Sequence, residues 1–399
     1  MSSVYTKKQL KLMSLWKKDK LKRLNILEGS VRSGKTWISL VLWAFWVSQM
    51  PKDKAFLMVA KTLTSLRRNT LDLMSTMFGS NFSYSLPAKE AHLFGRLVYL
   101  EGVNDARAES KIRGMTLQGA YCDEITLFTE DFFTMLLSRL SEPGAKLFGT
   151  TNPDNPNHWF KTKYLDRKDE LDMLVMKFLI DDNEFLDPEY VKQLKAEYTG
   201  IFYNRFILGE WVLAEGLIYP QASKARTETQ DRAYTEYRIS CDYGIYNPTA
   251  FGLFGKYKDK WYMVKEYYHS GRESKNPKTD EEYCNDLHTF AGDLPINRII
   301  VDPSASSFIT AIKRRGKYRV VPAKNAVLDG IYHTANVMQT DLLKINDCCK
   351  HTLKEFDVYS WDEKGGEDKP LKENDHCMDM LRYFVMTIIN PNNIRIIKG

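Results

Sequence analysis

Apolar residues fall into short runs whose lengths alternate between strand and helix, and that alternation predicts the architecture of the first half of the chain. Leu24, Ile26 and Leu27 form a short apolar run. After a glycine-containing gap comes Trp37 to Val47, 11 nearly apolar residues that read as a buried helix and fall far short of a bilayer span. Lys54 to Ala60 is a continuous apolar run of strand length, and Thr62 to Phe78 has helical spacing with Leu66, Thr70, Leu73 and Met77 on one side. Arg96 to Leu100, Leu117 to Cys122 and Ala145 to Gly149 read as further strands. This βαβα order predicts an α/β domain with a parallel sheet covered by helices. Ahead of it, residues 5 to 23 read as a basic amphipathic helix and a tether; Lys17, Lys18, Lys20, Lys22 and Arg23 either touch phosphates or form a solvated face.

Residues 181 to 233 change character. A helix follows Asp187-Pro188, Tyr203 to Leu213 comes next, and the chain then turns polar and turn-rich. The domain junction is therefore expected near Ala214 to Gly216, giving a first domain over 1–213, with linker helices at about 181–213, and a second over 214–399. The long polar connection suggests that the halves move relative to each other. Beyond it, Arg238 to Asp242, Thr249 to Phe254 and Trp261 to Tyr268 are strands at hairpin distance, Thr279 to Phe290 is a helix, and Arg298 to Asp302 is an apolar strand. Three antiparallel strands, a helix, then a parallel strand is the order of an RNase H-like mixed sheet.

At 399 residues the chain suits two domains, and 43% hydrophobic content is ample for two cores. The net charge of +6, from 57 basic and 51 acidic residues, allows a nucleic-acid partner without demonstrating one. Six cysteines without C-x-x-C spacing and a polar start predict reduced thiols in a cytoplasm, with no signal peptide and no membrane association.

The chemistry begins at Gly29-Ser30-Val-Arg32-Ser33-Gly34-Lys35-Thr36, which fits the P-loop pattern G-x-x-x-x-G-K-[ST] between a strand and a helix. Its glycines let backbone N–H groups curl around a phosphate at a helix N-terminus, Lys35 adds a charge and Thr36 a hydroxyl for Mg²⁺, so ATP with Mg²⁺ is the expected cofactor. Asp123 and Glu124 close a strand as an acidic pair; Asp123 would hold Mg²⁺ and Glu124 would deprotonate the attacking water. Thr150, Thr151 and Asn152 stand at another strand tip, placed either to sense the γ-phosphate or simply to form an Asn-Pro turn. Arg32, inside the loop, and Arg113 are candidates for the cation of the transition state.

In the second half, Asp242 and Asp302 end the first and fourth strands, and a third carboxylate comes from Lys372 to Met386, where Asp375 and Asp379 lie one helical turn apart, with His376 three residues before Asp379. Carboxylates converging on one site repel one another, and two Mg²⁺ or Mn²⁺ ions relieve the repulsion and activate a water against a phosphodiester. His376 would ligand a metal, steer a carboxylate or cap the helix. Lys313, Arg314, Arg315 and Lys317 form a basic cluster read as lying beside that site, either a contact for DNA phosphates or a solvated loop.

Joined in order, GSVRSGKT, Asp123-Glu124, the turn at 149–154, Gly209-Glu-Trp-Val212, and the stretches around Asp242, Asp302 and 375–383 resemble the large terminase subunit of tailed bacteriophages, of the shorter PBSX-like type. The resemblance implies an additional-strand ATPase that drives double-stranded DNA into a procapsid, followed by an RNase H-like endonuclease that cuts concatemers. It matches Lys35 and Thr36 to the phosphate and Mg²⁺ contacts, Asp123 and Glu124 to the metal carboxylate and catalytic base, Thr150 to Asn152 to the coupling motif, and Asp242, Asp302 and Asp379 to the nuclease triad. His376 matches an accessory position, Asp375 falls where the family often has a polar residue, and Gln9 is the candidate for an adenine-contacting Gln. A small terminase subunit, a portal protein, a monomer that forms a ring on the portal, and the cytoplasm of an infected bacterium are implied likewise. Two rivals compete: a helicase-like translocase whose second domain binds DNA without cutting it, and a nucleotide-gated assembly protein.

Overall fold

The computed structural model describes residues 4–103, 108–244, 247–272, 274–364 and 366–390. They divide into two compact units, one running to Leu213 and the other starting at Ala214. No helix among the described residues is long and apolar enough to cross a membrane.

The first unit is built on eight strands: β1 (Leu24–Gly29), β2 (Phe56–Ala60), β3 (Phe82–Ser85), β4 (Glu90–Leu93), β5 (Arg96–Gly102), β6 (Gly119–Cys122), β7 (Lys146–Thr151) and β8 (Met173–Phe178). Their order is β3-β4-β5-β2-β6-β7-β1-β8. All neighbours from β5 to β8 are parallel, and β3 and β4 add an antiparallel edge. All five residues of β2 are buried, as a strand covered on both faces requires. Alternation splits the core in two. Phe56, Met58, Tyr121 and Phe148 face the helix Lys35–Gln49 and its Trp43 and Trp46, while Leu57, Val59, Ala120 and Leu147 face Phe132, Phe133 and Phe160.

Strand β6 is poor in large apolar residues for a steric reason. A Cβ on Gly119 would approach the Trp46 ring to 2.5 Å, so the strand yields its volume to the helix. Tyr121, next but one, packs at a tilt against Trp43 and shares a 2.8 Å hydrogen bond with Ser39.

Two expectations change here. The helical pattern over 62–78 is not one helix: Leu63–Leu66 and Asp72–Phe78 are α-helical, and Arg67–Leu71 between them is π-helical. The strands β3, β4 and β8 were not read from the sequence: β3 and β4 are short and half polar, and β4 pairs with β5, while the apolar β8 pairs with β1.

The second unit has seven strands: β9 (Arg226–Thr227), β10 (Glu236–Asp242), β11 (Thr249–Tyr257), β12 (Lys260–His269), β13 (Ile296–Val301), β14 (Arg319–Pro322) and β15 (Leu343–Asn346), in the order β14-β13-β10-β11-β12-β15-β9. β10, β11 and β12 form an antiparallel meander, and after the helix Asp280–Ala291 the chain returns as β13, parallel to β10. This is the RNase H-like mixed sheet. The helix His376–Phe384 lies across it: Gly252 leaves room for Met380, Phe254 stacks on Phe384 at 3.7 Å between centroids, and Ser240 Oγ donates to Met380 O at 2.8 Å.

The polar stretch after Ala214 is not a free connection. Ile218, Tyr219, Ala222 and Ala225 are buried, Leu217 bridges to Ser360, and β9 pairs with β15. Most of its few apolar residues are buried, although Leu217 is exposed, and a composition average hides this.

The turn from β1 into the following loop sets a steric limit. Gly29 has φ 132°, and a Cβ there would lie 1.9 Å from Phe178 O. Gly29→Ala is expected to destabilise the first unit by at least about 2 kcal/mol. Gly95→Ala, at φ 76° with open space around it, should cost only about 1 kcal/mol. Urea midpoints of the two variants check the contrast.

Candidate functional site

The loop Ser30 to Gly34 hangs between backbone anchors. Ser30 N donates to Phe178 O and Val31 N to Phe206 O, both at 2.9 Å, and Asn183 Nδ2 donates to Arg32 O at 2.8 Å. Arg32 and Gly34 adopt positive φ, 55° and 79°, which wraps the chain toward the N-terminus of the helix Lys35–Gln49. Lys35 is 4% exposed; its Nζ donates to Ser30 O at 2.9 Å and to Asn152 Oδ1 at 2.7 Å. Burial pushes its pKa down to about 8, against the opposing pull of Glu124 and Asp123. Gln9 is buried beneath the loop, with Nε2 3.4 Å from Gly34 O and Oε1 accepting from Thr6 N, so here it supports the loop.

A cleft of about 380 Å³ opens over the loop, and Lys35, Thr36, Asp123, Glu124, Thr150 and Asn152 line it. Asp123 is 2% exposed and accepts from Thr150 Oγ1 at 3.0 Å and Asn69 Nδ2 at 2.9 Å. Glu124 follows with φ 56°, and its N–H donates to Thr150 Oγ1 at 3.3 Å. Thr151 Oγ1 bonds to Thr126 Oγ1 at 3.1 Å and so ties the same strand tip to the segment after the acidic pair. Ser30 Oγ and Ser33 Oγ are buried without a partner among the described residues, which a phosphate would supply. The residues present therefore fit a nucleoside triphosphate.

Arg32 lines the cleft, and Arg113 does not: it is exposed and paired with Glu109 at 2.7 Å. Sequence reading missed Arg68 and Asn69, which the π-helical turn swings into the cleft. An inserted π-turn is a common device at functional sites, but the 3.6-residue pattern around it carries no mark of it.

In the second unit, Asp242 ends β10, Asp302 follows β13, and Asp379 stands in the first turn of the helix His376–Phe384. Each carboxylate already has protein partners. Asp242 Oδ2 pairs with His376 Nδ1 at 2.9 Å, Asp379 Oδ1 with Arg382 at 2.7 Å, and Asp302 accepts from Ser304 N at 2.7 Å and Asn325 Nδ2 at 3.3 Å. Burial raises the Asp242 pKa, and the charges of Asp379 and Asp375 raise it further. Burial opposes protonation of His376, but the bond to Asp242 raises its pKa overall. Burial also lifts Asp302, yet its bonds from Ser304, Tyr383 and Asn325 together hold it below the usual carboxylate range. Asp375 is buried, 3.5 Å from Lys372.

The donor set has the hard oxygens that Mg²⁺ or Mn²⁺ takes. Yet among the described residues no three His, Cys, Asp or Glu side chains stand in metal-holding geometry. Asp379 and Asp375 act on the charge of Asp242, and His376, Arg382, Ser304 and Asn325 are the acids' protein partners.

Comparison with known proteins follows the same outline. The family described as "Terminase large subunit, T4likevirus-type, N-terminal" matches residues 26–225. A crystal structure of the large terminase from a thermophilic bacteriophage is 40% identical, covers 97% of this chain and 100% of that one, and superposes with a TM-score of 0.90. The chain belongs to the large terminase subunit family, whose members are phage DNA-packaging ATPases. The large terminase of the same thermophilic phage in complex with ATP-γ-S is likewise 40% identical, with a TM-score of 0.87 over 96% of this chain and 99% of that one. The large terminase subunit of Escherichia phage T5 is 23% identical over 277 residues, 64% of this chain and 61% of that relative's length.

One expectation about this terminase is corrected. The basic cluster does not lie beside the acids. Arg319 pairs with Arg298 at the start of β13, whereas Asp302 follows that strand's other end, and Lys313 and Arg314 close the helix Ser306–Arg314 that runs back between them. Arg315 is bound to Glu281 and Asn285, and Lys317 reaches His288. A one-dimensional reading counts residues to the strand and cannot see that the intervening helix reverses direction.

Glu355 was also missed. Its Oε2 accepts from Cys377 N at 2.8 Å and Met378 N at 3.2 Å, capping the helix that carries Asp379, while Oε1 is buried without a partner among the described residues. Burial pushes its pKa up to about 7, against the helix amides that lower it. A carboxyl raised in the fold stabilises fully below its unfolded value and loses that contribution as pH rises through about 7. The loss is at most about 3 kcal/mol. Glu355→Gln keeps an acceptor oxygen and removes the titration, so it should gain on the wild type between pH 5 and pH 8 in urea midpoint.

Proposed function

We propose that this chain is an ATP-driven motor that moves double-stranded DNA into a viral procapsid. The observation that carries the reading is the buried Lys35 ammonium, held against Asn152 at the floor of an acid-lined cleft. The bound nucleotide supplies the phosphoanhydride whose hydrolysis releases energy. Lys35 and the loop amides hold and neutralise the phosphates, Thr36 and Asp123 would hold Mg²⁺, and Glu124 takes a proton from the attacking water. Arg32 and Arg68, both lining the cleft, offer positive charge to the developing transition state. Thr150, Thr151 and Asn152 sense occupancy through Asp123, Glu124 and Lys35.

The finer reading adds an endonuclease in the second unit, with Asp242, Asp302 and Asp379 as its acids. A small terminase subunit, a portal protein, a ring of copies on that portal and the infected cell's cytoplasm complete the proposed setting. One observation favours a second reading, in which this unit holds DNA without cutting it: its acids are engaged by His376, Arg382, Ser304 and Asn325.

The two halves separate by mutation. Glu124→Ala should lower ATP turnover by about 100-fold or more and leave plasmid cleavage with Mn²⁺ intact. Asp302→Ala should do the reverse. Absence of any Mn²⁺-dependent cutting by the folded wild-type chain favours the second reading; loss of both activities in each variant sinks the two-site assignment.

Nucleotide binding is also expected to be linked to protons. The Lys35 pKa is about 8 in the fold against an ordinary 10.5, so the free protein holds less of that proton in the window between them. Bound phosphate favours the charged form. ATP should therefore take up a proton at pH 8.5, and its affinity should fall as pH rises through 8. Titration calorimetry in buffers of different ionisation enthalpy, with Lys35→Ala as control, measures it.

A further inference from the structure

A buried side chain in the helix Gly200–Phe206 ties the segment that follows it to the loop after β7. Arg205, in the helix Gly200–Phe206, has a side chain only 5% exposed. Its Nη1 donates to Asp154 Oδ1 at 2.8 Å, and its Nε and Nη2 donate to Val212 O at 3.2 and 2.6 Å. Asp154 is two residues from Asn152, the acceptor that Lys35 Nζ holds at 2.7 Å, with the rigid Pro153 between them. Val212 stands two residues before the second unit begins.

We propose that Arg205 is the positioning residue that transmits the occupancy of the phosphate site to residues 207–213, the chain leading into the second unit. The inference rests on reading the cleft as an ATP site. A phosphate arriving at Lys35 competes with Asn152 for its ammonium. Released, Asn152 lets the 152–154 loop shift, and Pro153 limits how much of the shift the loop absorbs. Asp154 then carries it to the Arg205 guanidinium, whose planar fork holds Val212 O at the same time. A lysine at this position has one charge centre and cannot span both acceptors. Trp211 Nε1 also donates to Glu28 Oε2 at 2.9 Å in β1, whose backbone is fixed within the sheet, and the Trp211 ring lies 6.3 Å from that of His158. Arg205 joins the segment to the loop that contacts Lys35. The Gly209 to Val212 stretch thereby acquires a role: it is the receiving end of the link.

Hydrogen exchange on the full chain, with and without ATP-γ-S and Mg²⁺, tests the relay alongside nucleotide affinity. In the wild type, nucleotide should alter exchange at 150–154 and at 207–213. In Arg205→Gln the first response should persist, the second should fall by about threefold or more, and nucleotide affinity should change by less than about threefold. Asp154→Asn leaves both bonds to Val212 O in place and should uncouple in the same way, which keeps the test valid if Arg205→Gln fails to fold. A response at 207–213 that is missing in the wild type despite binding, or retained within threefold in the folded variants, overturns the relay. Failure of the wild type to bind nucleotide refutes the ATP-site reading itself, and the relay with it.

Discussion

A buried ammonium at the end of a parallel sheet is the constraint around which the first unit is arranged. Taking Lys35 out of water costs several kcal/mol unless its protons find acceptors, and its site supplies Ser30 O and Asn152 Oδ1 with Asp123 and Glu124 in electrostatic range. That requirement reaches outward. Ser30 must turn its carbonyl inward, which the positive φ of Arg32 and Gly34 and the anchoring of Ser30 N and Val31 N make possible. Asn152 must stand at a strand tip, which the position of β7 between β6 and β1 provides. Strand β6 must bring Asp123 close without displacing the helix behind the loop, and Gly119 under Trp46 permits it. The two central tryptophans and the acidic pair at 123–124 are thus parts of one packing solution.

The second unit meets the opposite electrostatic problem. Four acids, Asp242, Asp302, Asp375 and Asp379, are gathered where β10, β13 and the helix His376–Phe384 meet. Repulsion among them is answered by His376, by the nearly fully buried Arg382, and by the hydrogen bonds to Asp302. Arg382 also donates to Asn325 O and Ala326 O, so its guanidinium is fixed from two sides. Glu355 adds a further negative group at the N-terminus of the same helix, where amides at 2.8 and 3.2 Å receive it. The acids are held in register by protein groups, and any divalent cation entering there competes with those groups.

Arg205 and the π-helical turn belong to a third class of feature, side chains whose importance lies in what they connect. Asn69 reaches Asp123 from one side of the cleft, and Arg205 reaches Asp154 from the far side of the loop after β7. Both bond to acids near the phosphate loop, and neither they nor those acids fall within its motif.

Much of this protein is written locally in its chain. The glycine loop between a strand and a helix, the acidic pair at 123–124, the meander-helix-strand order of the second half, and the places of Asp242 and Asp302 at strand ends all follow from periodicity and short-range backbone chemistry, because these depend on neighbours a few residues away. Tertiary structure decided the rest. It turned the 62–78 pattern into two helices around a π-turn, folded the polar stretch after Ala214 into the second core, and carried the 313–317 cluster to the far end of its sheet from Asp302. It also chose partners for the buried charges: Asn152 for Lys35, Arg382 for Asp379 and Glu355 for the amides of Cys377 and Met378. Lys35 and Asn152 stand 117 positions apart, and Glu355 and Cys377 stand 22 apart. Spacing along a chain reports which groups share a strand or a helix face; which groups meet across elements is set by packing, and packing is a property of the whole fold.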